Sequence, residues 1–109
     1  VTSGDDGTYL DLIGVGARGV ISVASHIFPK QFVAWCKRTR SGDLSAREEF
    51  QKIVDVNGFL YVEANPIPLK TALHIMGLIK SPELRLPLVT LSEPHVAKMR
   101  QKLIEAGAI

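Results

Sequence analysis

Apart from a Val1-Thr2 stub, one stretch of this chain, Val20-Ile-Ser-Val23, has the apolar, β-branched make-up of a covered parallel strand. Ser3-Gly-Asp-Asp-Gly7 is a turn whose carboxylates can cap the next helix. That helix is expected from Asp6 or Gly7 to Gly14, with Tyr9, Leu10, Leu12 and Ile13 as its apolar face. The order strand stub, helix, strand is one βαβ unit, which crosses over right-handedly. A chain with two adjacent parallel strands needs a covered α/β setting.

Gly14-Val-Gly-Ala-Arg-Gly19 matches the G-x-G-x-x-G spacing of a dinucleotide loop. In such a loop the glycines follow a strand and open a helix, so that the pyrophosphate meets helix amides. Here they follow a helix and open a strand, and a phosphate would face carbonyls. They are read as a helix stop and a tight turn. The strand-to-helix turn of this unit is Ser3-Gly4-Asp5-Asp6, at the sheet end where α/β folds place ligands.

Beyond Val23 the pattern is helical. Phe28 to Arg40 carries Phe28, Phe32, Trp35 and Cys36 at helical spacing and closes at Gly42. A long helix is expected from Asp43 or Ser45 to about Tyr61, since Ser45-Ala-Arg-Glu48 has the capping-box pattern. Leu44, Phe50, Ile53, Val54 and Leu60 are its expected buried positions. Asn65-Pro66 breaks it, and Pro68 suits the first turn of a helix running to Gly77. Leu84 to Leu88 reads as an extended loop. Ser92 then caps a final helix with Val96, Met99, Leu103 and Ile104 on one face, before Gly107.

Composition narrows the function classes. The 109 residues are one domain's worth at most, 46% hydrophobic with a mean hydropathy of +0.15, which is not a disordered tail. The charge is only +2, and Lys37-Arg38-Thr39-Arg40 falls in a last helical turn, where cations offset the macrodipole. No nucleic-acid partner is expected. The single Cys36 allows no internal disulfide, and the three histidines have no zinc spacing, so no metal and a cytoplasmic setting are expected. No apolar run reaches the ~18 residues of a membrane span. Residue 1 is Val, and the sequence is expected to start inside an element.

Four motifs in this order, S-G-D-D at 3–6, G-V-I-S-V at 19–23, E-A-N-P-I-P-L-K at 63–70 and L-R-L-P-L at 84–88, resemble the C-terminal portion of the dihydrodipicolinate synthase family of class I pyruvate aldolases. The resemblance implies an α/β fold, the last two strands of a (β/α)8 barrel followed by a helical domain. Residues 1–28 would hold those strands and their helix, and 29–109 the final barrel helix and the C-terminal domain. The implied activity is the condensation of pyruvate with aspartate semialdehyde in lysine biosynthesis, through a Schiff base on a lysine upstream of Val1, with no cofactor. A homotetramer is implied as well. The sialic-acid lyase and keto-deoxy-sugar aldolase branches, or a truncated non-catalytic relative, stand as alternatives.

By the same resemblance, Ile21 corresponds to the residue whose backbone carbonyl lies beside bound pyruvate, and Gly4 to the one whose backbone faces the second substrate. His26 stands where many relatives carry Asn. None of the seven lysines, Lys30, Lys37, Lys52, Lys70, Lys80, Lys98 and Lys102, falls at an expected strand end. The chain alone is therefore expected to be inactive. Asp5 and Asp6 are only two carboxylates, too few for a hard cation, and are read as turn and cap residues.

Overall fold

A computed structural model describes all residues, 1–109, and they form two compact units, 1–54 and 55–109. In the first, α1 (Tyr9–Gly14), a 3-10 turn (Ala24–His26), α2 (Pro29–Arg40) and α3 (Ala46–Gln51) follow one another. Its core is aromatic. Tyr9 stacks on Phe32 at 5.2 Å between ring centroids, and Phe50 meets Tyr9 and Trp35 edge-on at 5.9 and 5.8 Å. Such pairs add to plain area burial. Trp35 Nε1 donates to Glu49 Oε2 at 2.7 Å, and Arg38 Nη1 to the other oxygen at 2.9 Å. Those two hydrogen bonds, Trp35 first, hold the Glu49 carboxyl below the usual range.

The expected strand at Val20 to Val23 forms only in part: Ser3 and Val20 make one parallel bridge. Each segment has a single neighbour, and two parallel strands alone offer too few rungs to run further. By Val23 the backbone has turned helical, entering the 3-10 turn.

The glycine run proves to be a helix stop. Gly16, at φ +110°, follows α1, and its amide donates to Ile13 O while the Ala17 amide donates to Leu12 O, the paired bonds of a Schellman cap. Its amide is spent on a helix carbonyl. Gly16→Ala is expected to cost about 1–2 kcal/mol in urea unfolding, because an L side chain resists that φ. Gly14→Ala, whose methyl would meet only the end of Arg47 at 3.4 Å, is expected to be neutral or stabilising. Equal stability of the Gly16 variant and the parent would refute this reading of the turn.

The second unit contains α4 (Val54–Phe59, beginning one residue before it), α5 (Ile67–Ile75) and α6 (Glu93–Glu105). Leu60, Ala72, Met99 and Leu103 are fully buried there. The single helix expected from Asp43 or Ser45 to about Tyr61 is instead two, α3 and α4. The amides of Lys52 and Ile53 reach back only three residues, to Glu49 and Phe50, tightening the chain between them. β-branched Ile53, Val54 and Val56, then Asn57-Gly58, are weak helix formers, so nothing local resists the break. Leu44 and Val54, expected inside, are exposed, as are Leu12 and Ile104.

Two expected caps have other employment. Ser45 lies at the N-cap of α3 with helical dihedrals and no side-chain cap bond; its own amide donates to Asp43 Oδ1 at 2.9 Å. Ser92 has the extended backbone of an N-cap for α6, but its hydroxyl donates to Glu63 Oε2 at 2.7 Å. His95 Nδ1 lies 2.6 Å from that same oxygen. The Ser92 hydroxyl and then His95 hold the Glu63 carboxyl below the usual range.

Candidate functional site

The Ser3–Val20 bridge brings two distant turns into register. Ser3 N–H donates to Gly19 O at 2.9 Å, and Ile21 N–H to Ser3 O at 2.8 Å. Gly4 and Ile21, each one residue past the bridge, therefore end adjacent strand segments side by side. Both are exposed, Ile21 to 78%. A Cβ built on Gly4 would meet nothing within 4 Å, so the side of the backbone that a side chain would occupy is open.

Past the bridge, two buried side chains set the path of the backbone. In a continuing parallel ladder the next rungs would be Asp5 N–H to Ile21 O and Val23 N–H to Asp5 O. Neither forms. Ser3 Oγ accepts Asp5 N–H at 3.1 Å and donates to Asp5 O at 3.2 Å. Asp6 Oδ2 accepts the amides of Val23 at 3.0 Å and Ala24 at 2.9 Å. Ser3 is 3% exposed and Asp6 1%. The carbonyl of Ile21 is left with no hydrogen-bond partner in the chain.

Asp6 thus caps the 3-10 turn at Ala24, eighteen residues away, and not α1 as the sequence suggests. Asp5 Oδ2 accepts the Thr8 hydroxyl at 2.8 Å. The two carboxylates serve different partners. Beneath them the Tyr9 hydroxyl is pushed well above its ordinary value, by burial first and then by the nearby Cys36 and Asp6. His26 is exposed, its Nδ1 2.9 Å from Val23 O, within its own turn.

A groove of about 450 Å³ lies along the other face of the same segment, lined by Val20, Ser22, Pro29, Phe32, Val33 and Cys36. Ile21 is not in its wall, because successive strand residues point to opposite faces. The Cys36 thiol is pushed up by burial, which makes it a packing residue and a poor nucleophile. The lysines lie elsewhere. Lys30 and Lys37 are on α2, Lys70 on α5, Lys98 and Lys102 on α6, with Lys52 and Lys80 in turns. Lys70 bonds Glu83 O, and Lys102 pairs with Asp55.

A parallel bridge joined through a helix, with backbone groups exposed just past it, has the arrangement of a βαβ unit, the unit whose strand ends carry the ligands in α/β enzymes. The chain belongs to the Dihydrodipicolinate synthetase family, whose profile matches residues 1–106. It is 50% identical to 4-hydroxy-tetrahydrodipicolinate synthase of Bdellovibrio bacteriovorus over 98% of its own length and 37% of that protein. The dihydrodipicolinate synthase structure from Thermotoga maritima superposes with a TM-score of 0.94 at 45% identity, covering 100% of this chain and 37% of that one. The chloride-inhibited enzyme from Acinetobacter baumannii, solved with pyruvate, superposes at 0.93 with 41% identity, over 100% of this chain and 38% of that one. The chain thus spans under two fifths of the length of the relatives it matches. The match is to the C-terminal part of these enzymes.

Proposed function

We propose that this chain is the C-terminal portion of a lyase that condenses pyruvate with aspartate semialdehyde through a lysine Schiff base, the step that feeds lysine and diaminopimelate synthesis. The observation that carries this reading is the pair of exposed strand ends at Gly4 and Ile21 in a chain of this family. Residues 1–28 contribute the last two strands of a (β/α)8 barrel with their helix, and 29–109 the final barrel helix and helical domain. Barrel closure also accounts for the bare outer edge of the bridge, where the Val20 and Ser22 amides bond nothing in the chain. A non-catalytic remnant would leave that apolar edge open to aggregation.

In this reading the amine that attacks the pyruvate ketone, with loss of water, belongs to a segment before Val1. Ile21 supplies a fixed carbonyl acceptor for the iminium N–H formed when pyruvate joins that amine, and the Gly4 backbone, with no side chain, lets the aldehyde substrate approach. Neither role asks anything of a side chain, which suits an apolar residue and a glycine at a polar site. The complete enzyme is a cytoplasmic homo-oligomer, a tetramer by resemblance. No helix here is long and apolar enough to cross a membrane.

Borohydride trapping tests the assignment. Treated with pyruvate and borohydride, the 109-residue chain is expected to keep its mass near 11.9 kDa, because no lysine stands at a strand end. The family-length enzyme carrying this segment is expected to gain one reduced pyruvyl group per chain. A stable adduct on any of the seven lysines here, or none on the complete enzyme, would overturn the proposal.

A further inference from the structure

We infer that Ser3 is a positioning residue for pyruvate: by holding the Asp5 amide it keeps the Ile21 carbonyl out of the strand ladder and free for the ligand. This rests on the reading that the Ile21 carbonyl serves pyruvate. The geometry is that of a rung withheld. The bridge delivers Ile21 N–H to Ser3 O at 2.8 Å, and the parallel pattern then calls for Asp5 N–H on Ile21 O. The Ser3 hydroxyl intervenes, accepting that amide at 3.1 Å and donating back to the Asp5 carbonyl at 3.2 Å. Both groups that would extend the ladder from the Ser3 strand are satisfied by one side chain.

Ser3 is buried, so the hydroxyl meets no competition from bulk water. On the partner segment, Asp6 draws away the Val23 amide in the same manner at 3.0 Å. A ladder stopped by side chains leaves its last carbonyl bare. An unpaired backbone carbonyl at an exposed strand end is a strong acceptor held in place for a ligand donor.

Ser3→Ala in the family-length enzyme is the test, since it removes the diversion and lets Asp5 N–H add the missing rung to Ile21 O. The pyruvate KM is expected to rise roughly three- to tenfold, the worth of one ordinary hydrogen bond from the iminium N–H of the lysine–pyruvate adduct, since pyruvate itself carries no donor. The melting temperature is expected to change little, because the Asp5 amide exchanges one bond for another and only the 3.2 Å bond to the Asp5 carbonyl is lost. Ser3→Thr keeps the hydroxyl and is expected to restore the parent KM. A separate variant with the Ile21–Ser22 amide changed to an ester, which weakens that carbonyl as an acceptor, examines the underlying reading. If the ester raises the pyruvate KM while Ser3→Ala leaves it unchanged, the Ser3 inference fails and the Ile21 assignment stands. If the ester has no effect on pyruvate binding, the assignment itself fails and the inference goes with it. A Ser3→Ala enzyme that melts lower with an unchanged KM would mark Ser3 as structural and likewise overturn the inference.

Discussion

Ile21→Pro in the family-length enzyme is expected to drop turnover below about a hundredth of the parent, while Ile21→Val keeps most of it. Proline removes the amide that donates to Ser3 O at 2.8 Å and strands that buried carbonyl, and its ring also restricts Val20 before it. The loss of ~3 kcal/mol or more typical of a proline forced into regular structure would break the Ser3–Val20 register. Gly4 and Ile21 would then no longer end side by side. Ile21→Val leaves every backbone bond in place, and even at a fully buried site Ile→Val costs only ~0.5–1.5 kcal/mol. Pyruvate KM, turnover and melting temperature should be measured for both, because unfolding alone would mimic a site effect. An Ile21→Val enzyme that forms the Schiff base and melts normally but does not turn over would show that the side chain, and not the carbonyl, does the work.

The helices were legible in proportion to how local their causes are. α2, α5 and α6 lie close to where apolar spacing, Pro68 in the first turn of α5 and the closing glycines put them. α3 and α4 were not separable by that method, since the break between Gln51 and Val54 leaves the apolar spacing almost intact. The caps show a related limit. Ser45 and Ser92 have the right type and position, yet Asp43 holds the amide of one and Glu63 the hydroxyl of the other, 29 residues off. Gly4 and Ile21 were readable only through their motifs, since nothing in an isoleucine or a glycine announces a polar site. Ser3 and Asp6 were read as turn and cap residues of their own segment. The Ser3 hydroxyl does bond within its own turn, to Asp5, whereas the partners of Asp6, Val23 and Ala24, are brought to it only by the bridge between Ser3 and Val20.

Asp6→Ala is expected to be among the most destabilising single substitutions in residues 1–54. It strips the acceptor from two amides, Val23 and Ala24, at a carboxylate only 1% exposed. Hydrogen bonds to a charged group contribute about 1.5–3 kcal/mol each, and amides left buried without a partner add their own desolvation cost. One effect works the other way. Asp6 Oδ1 and the Tyr9 hydroxyl are both buried with no hydrogen-bond partner, so deleting the carboxylate removes one orphaned acceptor and its charge from beside a buried phenol. Relief of a single unsatisfied group is worth about 1–3 kcal/mol at most, less than the two charged bonds it would offset. The net expectation is a loss of about 2–3 kcal/mol by urea unfolding. Asp6→Asn, which retains a carbonyl oxygen for the same two amides, should recover a good part of it. An Asp6→Ala protein within about 0.5 kcal/mol of the parent would mean that the 3-10 turn holds its shape without the carboxylate, and that the end of the ladder is fixed by Ser3 alone.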